Sequence, residues 1–236
     1  HAEEIDAILR EHFDEKEEHN MSNTMRPGDR GENVRQLQGI LKLAGYYDGK
    51  LDGSWYSDSE GKTKIDAITG FVKYACQELK PLGVFVSGDV FGTIINSRVD
   101  GESIGQSYVE LSRYLDYICP MVYPSHYSFG YGGLKYPDTK PFQLLLMEMK
   151  SSVKKLSEIP EGQHCAEVRP WLQDFTASYL GEGRYLVYGA QELRAQISAT
   201  YSAGYDEWLL WNAGMFFTEE GLLRDKDNLL PKEEEQ

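Results

Sequence analysis

The sequence has few cysteines, and their pattern excludes two kinds of stabilised site. Its 236 residues include three cysteines, Cys76, Cys119 and Cys165. An odd number with this spacing fits neither a disulfide framework nor a zinc site. We therefore predict that all three are small apolar residues within the fold. We expect no metal and no organic cofactor.

Positive charge is also scarce, which excludes other classes of partner. The chain carries 24 Lys and Arg residues against 38 Asp and Glu residues, for a formal net charge of −14. Such a charge repels nucleic-acid phosphates and anionic lipid, so we expect no nucleic-acid partner. No apolar run approaches the roughly 20 residues of a membrane span. The N-terminus lacks the pattern of a secretory leader, and the absence of an initial Met favours a removed leader or a longer gene.

Four apolar segments are present, and each runs into aromatic or polar residues. They are GVFVSGDVFG (83–92), LDYICPMVYPSHY (115–127), CAEVRPWLQDF (165–175) and YDEWLLWNAG (205–214). Stretches with helical spacing separate them, so the strands are predicted to pair in parallel through right-handed crossovers. Their C-terminal ends then lie at one rim, where α/β folds carry their chemistry. The strands are predicted near 84–89, 117–123, 165–172 and 206–212, and the helices near 63–83, 104–115, 141–158 and 190–203.

A separate helical unit precedes this pattern. Residues 2–20 have helical spacing, and a second helix is predicted to open at Glu32 and to stop at Gly45. Two Asp-Gly turns follow it within residues 46–53. The segment resembles the short three-helix peptidoglycan-binding domain through Gly28-Asp29-Arg30-Gly31, Val34, Leu37-Gln38, Leu41, Gly45-Tyr46-Tyr47 and Asp52-Gly53. The resemblance implies either binding to cell-wall polymer or a structural spacer.

Two carboxylates follow strands and are the candidates for catalysis. Asp89 comes after the first apolar strand, and Asp174 comes after Trp171 and the third. Sugar hydrolysis needs two carboxyl groups flanking the scissile bond. The alternative for both residues is a role as a helix cap or loop acceptor. Glu207 and Glu167 precede their strands, and we expect them at the opposite end of the sheet.

Aromatic and amide side chains complete the predicted rim. Tyr123 and His126 end the second strand, while Trp171, Trp211 and Asn212 belong to the third and fourth. Indole rings stack on sugar rings, although tryptophan in a strand is as often a core residue. An imidazole at the rim would bind a sugar hydroxyl, or would simply organise its loop. We predict that these five residues bind substrate. The loop at 124–140 is predicted to shape their pocket or to serve as a surface connection.

Residues from about 56 to 223 resemble a bacterial family of glycoside-hydrolase-like TIM barrels, distantly related to the α-amylase-like enzymes. The matching motifs are Gly61-Lys62-Thr63-Lys64, Phe71-Val72-Lys73-Tyr74-Ala75, Gly83-Val84, Asp89-Val90-Phe91-Gly92, Ile104-Gly105-Gln106, Asp116-Tyr117-Ile118, Pro120-Met121-Val122-Tyr123-Pro124-Ser125-His126-Tyr127, Arg169-Pro170-Trp171-Leu172-Gln173-Asp174-Phe175-Thr176, Gly189, Arg194-Ala195-Gln196-Ile197, Glu207-Trp208 and Trp211-Asn212-Ala213. The resemblance implies strands five to eight of a barrel. Family members carry their expected nucleophile in a first half, which residues 1–60 do not match.

These observations together predict an α/β fold: a parallel (β/α) half of a TIM-type barrel, of about four βα units, with a small all-α N-terminal unit. The expected divisions are an acidic helical segment (1–24), a peptidoglycan-binding-like unit (25–58), the barrel half (59–223) and an acidic tail (224–236). The predicted function is general acid–base hydrolysis of a polysaccharide or cell-wall glycan, outside the cell or at its envelope. The alternatives are a non-catalytic glycan-binding protein, or a truncated barrel that needs a partner chain. A homodimer through the open barrel edges is one form of the latter.

Overall fold

The computed structural model describes residues 32–43 and 63–222. Within the first of these ranges it describes the side chains of only some residues. The predicted helix at 2–20, the Asp-Gly turns at 46–53 and the acidic tail lie outside the described residues. The helix predicted to open at Glu32 is present as Glu32–Leu43.

Six α-helices and five short strands make up the described part of the chain. The helices are α1 (Glu32–Leu43), α2 (Lys64–Leu79), α3 (Arg98–Ile104), α4 (Tyr108–Ser112), α5 (Pro141–Leu156) and α6 (Ala190–Ser202). The strands are β1 (Ser87–Phe91), β2 (Tyr117–Met121), β3 (Glu167–Val168), β4 (Trp171–Gln173) and β5 (Leu209–Trp211).

Local signals in the sequence set the ends of α2. The Thr63 side chain accepts a hydrogen bond from the Asp66 backbone N–H, while the Asp66 carboxylate accepts one from the Thr63 N–H. This reciprocal cap satisfies two N–H groups that the first turn would leave unpaired. Beyond the helix, a 3₁₀ turn ends at Gly83, whose φ of 79° is accessible to glycine at little cost.

All strand pairs are parallel, and the sheet order is β1-β2-β4-β5, with β3 also paired to β2. Strand order therefore follows chain order. Because right-handed crossovers in one direction place every connecting helix on the same side, one sheet face is covered by helices, and no helix of the described residues covers the other, which we call the open face. This is the topology of half a (β/α) barrel, and it confirms the predicted fold class.

The core lies between the sheet and the helices. Val90 of β1, Ile118 of β2 and Leu172 of β4 belong to one apolar cluster. Leu144 of α5 and Ile197 of α6 join the same cluster. All five side chains are almost fully buried. Neighbouring residues on each strand point to the opposite face, because side chains alternate along a strand. The open face is therefore defined by Asp89, Cys119, Trp171, Leu209 and Trp211.

Two predicted elements are each divided in the structure. The single helix expected at 104–115 is two short helices, α3 and α4, because Gly105 ends the first with a φ of 79° and Ser107 caps the second. The single strand expected at 165–172 is interrupted between β3 and β4 at Pro170, which has no N–H to donate. The other strands and helices predicted within the described residues are confirmed to within a few residues.

Candidate functional site on the open sheet face

Asp89 lies on the open face of β1, and its neighbour in the strand sets its orientation. Val90 beside it is buried against the helices, so the alternation of the strand directs Asp89 to the opposite side. In the parallel register Asp89 is level with Cys119 of β2. Burial, and then the charge of Asp89, raise the pKa of the Cys119 thiol to about 11. Cys119 is therefore a neutral, apolar neighbour of this carboxylate.

The Asp89 carboxylate is held by an indole. The Nε1–H of Trp171 donates a hydrogen bond to Asp89 Oδ1 over 2.8 Å. Trp211 of β5 stands at right angles to Trp171, with ring centroids 6.1 Å apart. Trp211 is 43% exposed, so part of its ring faces solvent. Three of the predicted site residues therefore form one cluster.

Tyr123 and His126 lie beside this cluster at the end of β2. Burial raises the pKa of Tyr123, and the negative charge of Asp89 adds to that rise. The His126 ring meets Tyr123 edge-on at 4.9 Å between centroids. Desolvation lowers the pKa of His126, although the residue keeps an exposed edge. Phe175 also packs against Tyr123, with ring centroids 6.1 Å apart.

Asp174 lies at the same end of the sheet, but both of its oxygens are engaged. Thr218 donates to it twice, through its backbone N–H to Oδ2 at 2.8 Å and through its hydroxyl to Oδ1 at 2.6 Å. The residue is 3% exposed. This geometry ties the loop after β5 to the end of β4. Asp174 would have to release Thr218 before it met a substrate.

Asn212 organises the same loop. Its side-chain N–H groups donate to the carbonyls of Asp174 and Phe216 at 2.6 and 2.7 Å, and its Oδ1 accepts from Gly214 N–H at 2.8 Å. The amide is therefore directed into the loop. The loop carries Met215, the one non-glycine residue with positive φ in the described part of the chain.

The carboxylates before the strands lie at the opposite end of the sheet, as their positions in the sequence indicate. Glu207 accepts two hydrogen bonds from Arg169, at 2.9 and 2.7 Å, and the guanidinium lies 3.9 Å from the centre of the Tyr117 ring. An ion pair of this kind fixes the start of the sheet. It leaves Glu207 without the freedom of a catalytic group.

A cavity of about 360 Å³ lies on the helix side of the molecule, away from the open face. Lys73, Lys80 and Arg113 contribute to its lining. Lys80 is paired with Asp116 at 2.8 Å, and Arg113 donates to Gln163 at 2.9 Å. Because Asp116 precedes β2, the cavity adjoins the N-terminal end of the sheet. We place the candidate site at the other end, with Asp89.

A buried polar network beside the site has no counterpart in the sequence prediction. Gln173 accepts from the Ser125 N–H at 3.0 Å and donates to Asp138 Oδ1 at 2.8 Å. Asp138 also accepts from the Leu186 N–H at 3.2 Å. Desolvation raises the pKa of Asp138 against these hydrogen bonds. The network joins the 124–140 loop to β4. The only local indication of its direction is that Gln173 lies two residues after Trp171, on the same face of β4.

Within the described residues, no group of three or more His, Cys, Asp or Glu side chains is arranged to hold a metal ion. None of the described helices is both long and apolar enough to cross a membrane.

Two known structures show a distant similarity to this chain. The spore cortex-lytic enzyme SleL of Bacillus megaterium is 12% identical, with a TM-score of 0.46, over 81% of this chain and 52% of its own. The glycoside hydrolase domain of PgaB (BpsB) from Bordetella bronchiseptica is 12% identical, with a TM-score of 0.40, over 77% of this chain and 40% of its own. This chain thus spans about half, or less, of either structure. No curated protein matches it.

Family assignment depends on the sequence itself. Residues 46–217 match a family described as "Putative glycosyl hydrolase domain". The matched range contains the whole parallel sheet and every residue of the Asp89 cluster. This chain belongs to that glycosyl hydrolase family.

Proposed function

We propose that this protein acts on a glycan through the open sheet face, and that hydrolysis is its reaction. The observation that carries the proposal is the Asp89 cluster: a carboxylate oriented by one indole, beside a second, partly exposed indole. Carboxylates supply the acid–base or nucleophilic chemistry of glycoside cleavage, and exposed aromatic rings bind the faces of sugars.

The roles within the site follow from how each group is bonded. Asp89 acts at the scissile bond, because its Oδ2 makes no hydrogen bond within the described residues. Asp174 holds the loop after β5 and assists from there, since Thr218 occupies both of its oxygens. Trp211 contacts the sugar. Tyr123 and His126 bound the site on the β2 side, where their polar atoms would meet sugar hydroxyls. Asn212 shapes the loop through its three hydrogen bonds.

The substrate proposed is a polysaccharide or cell-wall glycan at the bacterial envelope. Support comes from the peptidoglycan-binding-like segment at 25–58, whose signature precedes the barrel half in the same chain. In this arrangement 25–58 holds the polymer, 59–223 acts on it, and the acidic segments 1–24 and 224–236 flank them. In this proposal the open face and the segment at 25–58 both bind the same cell-wall glycan.

A non-catalytic glycan-binding protein is the second candidate, and one observation favours it. Cleavage needs two carboxyl groups, yet among the described residues Asp89 is the single carboxylate on this rim with a free oxygen. A partner chain would supply another, because β1 and β5 both leave an edge unpaired in the described sheet. Two copies around a two-fold axis parallel to the strands would give eight parallel strands, with the interrupted β3 and β4 counted as one, and two Asp89 residues.

The decisive experiment measures turnover on a panel of bacterial and plant polysaccharides, with the oligomeric state of the full chain followed by light scattering. Hydrolysis should fall at least about a hundredfold in Asp89→Asn, because the amide cannot act as acid, base or nucleophile. Glu167→Gln, an exposed carboxylate at the opposite end of the sheet, is the matched control and should keep full activity. Binding without turnover in the parent would select the second candidate, and a monomer would exclude the shared site.

A further inference from the structure

Trp171 reaches Asp89 across an intervening strand. Both β1 and β4 pair with β2, so the indole must extend over β2 for its Nε1 to lie 2.8 Å from Asp89 Oδ1. Its backbone is anchored on both sides, through the register with Met121 of β2 and with Leu209 of β5. The pairing with β2 and β5 therefore fixes the backbone of Trp171, and the hydrogen bond to Asp89 of β1 fixes its ring.

The chemistry of the indole makes this contact directional. An indole N–H is only a donor, so Asp89 Oδ1 is the acceptor of this hydrogen bond. Oδ2 takes no part in this contact. A hydrogen bond to a carboxylate is also stronger than one between neutral groups. One oxygen is fixed, and the other is directed to a defined position.

Trp211 packs against Trp171 and differs from it in exposure to solvent. Trp211 is nearly perpendicular to Trp171, at 89° between the ring planes. Such edge-to-face pairs are favourable arrangements for aromatic rings. Trp171 is half-buried between this contact and its hydrogen bond, whereas Trp211 is exposed. The two tryptophans thus have different environments, although the sequence suggested one role for both.

We infer that Trp171 is a positioning residue for Asp89, and that Trp211 is the ring on which a sugar stacks. The inference rests on the proposed hydrolysis, and it divides two residues that sequence analysis grouped as substrate-binding. It also gives Oδ2 of Asp89 as the oxygen that faces the reacting bond.

Kinetics separate the two roles. Trp171→Phe keeps an aromatic ring but removes the N–H, so kcat should fall about tenfold to a hundredfold while KM changes by less than about twofold. Trp211→Ala should instead raise KM, because it removes binding surface. A rise in KM with unchanged kcat in Trp171→Phe would show that Trp171 is itself a stacking platform and would overturn the inference.

A second readout does not depend on turnover. The indole N–H resonance of Trp171, measured by ¹H–¹⁵N NMR, should move and exchange faster with solvent in Asp89→Ala. Trp208, whose indole N–H donates to the Tyr201 hydroxyl at 3.1 Å, is the internal control and should not move. An unmoved Trp171 signal refutes the positioning role even in an active enzyme. If the Trp171 signal moves but the protein shows no turnover, the contact between Trp171 and Asp89 is supported and only the proposed hydrolysis is refuted.

Discussion

The two faces of the sheet are held by different forces. On the covered face Val90, Ile118 and Leu172 are each at most 2% exposed and meet other apolar side chains. On the open face Asp89 and Trp171 are joined by a directional hydrogen bond. The same strands supply both sets of residues, because side chains alternate along a strand.

The difference shows where stability and chemistry are each located. Apolar burial contributes free energy roughly in proportion to area and without regard to direction. Polar contacts contribute less net free energy but fix the orientation of the groups that take part. We therefore expect substitutions on the covered face to affect folding, and substitutions on the open face to affect function.

The largest effect is expected from a matched pair of leucines on opposite faces. Leu172→Ala, in a fully buried side chain of β4, should lower the free energy of unfolding by about 2–5 kcal/mol. Leu209→Ala, on the open face of β5, should cost less than half as much. Urea unfolding followed by circular dichroism measures both. Equal losses would mean that the open face is covered in solution, and the contrast between the faces would fail.

One ionisable side chain lies among the apolar residues on the covered side of the sheet. Glu148 of α5 is fully buried, and its Oε1 accepts hydrogen bonds from Asn96 at 3.0 Å and Tyr131 at 2.8 Å. Within the described residues its buried Oε2 has no regular hydrogen-bond partner, although Tyr127 is a further group that lowers the pKa of Glu148. Desolvation raises the pKa of Glu148 to about 7, against the opposing effect of these hydroxyl and amide donors.

Glu148 therefore predicts a pH dependence of stability with a definite sign. Because its pKa is raised on folding, the folded state binds the proton more tightly, and its contribution to stability is complete below about pH 4.5. That contribution should decline by about 3 kcal/mol as the pH rises to about 7. The measurement is the free energy of unfolding of the parent minus that of Glu148→Gln, which cancels the other titrating groups. A difference that is flat between these pH values contradicts the prediction.

Much of the fold could be predicted from the sequence, because its signals are local. Alternation and helical spacing lie within segments of at most 16 residues, and they predicted most strands and helices of the described range. The division of the helix at 104–115 was also indicated by Gly105, followed by Ser107, two residues that end and begin helices. The break between β3 and β4 was likewise indicated by Pro170 itself, because proline has no backbone N–H.

The candidate site was less accessible, because its contacts join distant positions. Trp171 and Asp89 are 82 residues apart, and Thr218 and Asp174 are 44 apart. The rule that parallel strands end at one rim indicated that Asp89 and the tryptophans lie near one another, and Trp171 does meet both Asp89 and Trp211. It did not predict that Asp89 lies within β1 and that Trp171 begins β4, so the contact forms on the sheet face. It could not show which oxygen is occupied or by which donor. The engagement of Asp174 by Thr218 therefore became visible only in three dimensions.

The smallest effect is expected where the loop after β5 closes on the sheet. Thr218→Val removes the hydroxyl that donates to Asp174 but leaves the backbone donor, so the free energy of unfolding should fall by about 1–3 kcal/mol. The loop should also open more often, and chymotrypsin should cut sooner at Phe216, which is 83% exposed. Thr218→Ser keeps the hydroxyl and should retain parental stability and resistance to cleavage. If the valine and serine variants behave alike, the hydroxyl contact does not hold this loop, and the open face depends on packing as the covered face does.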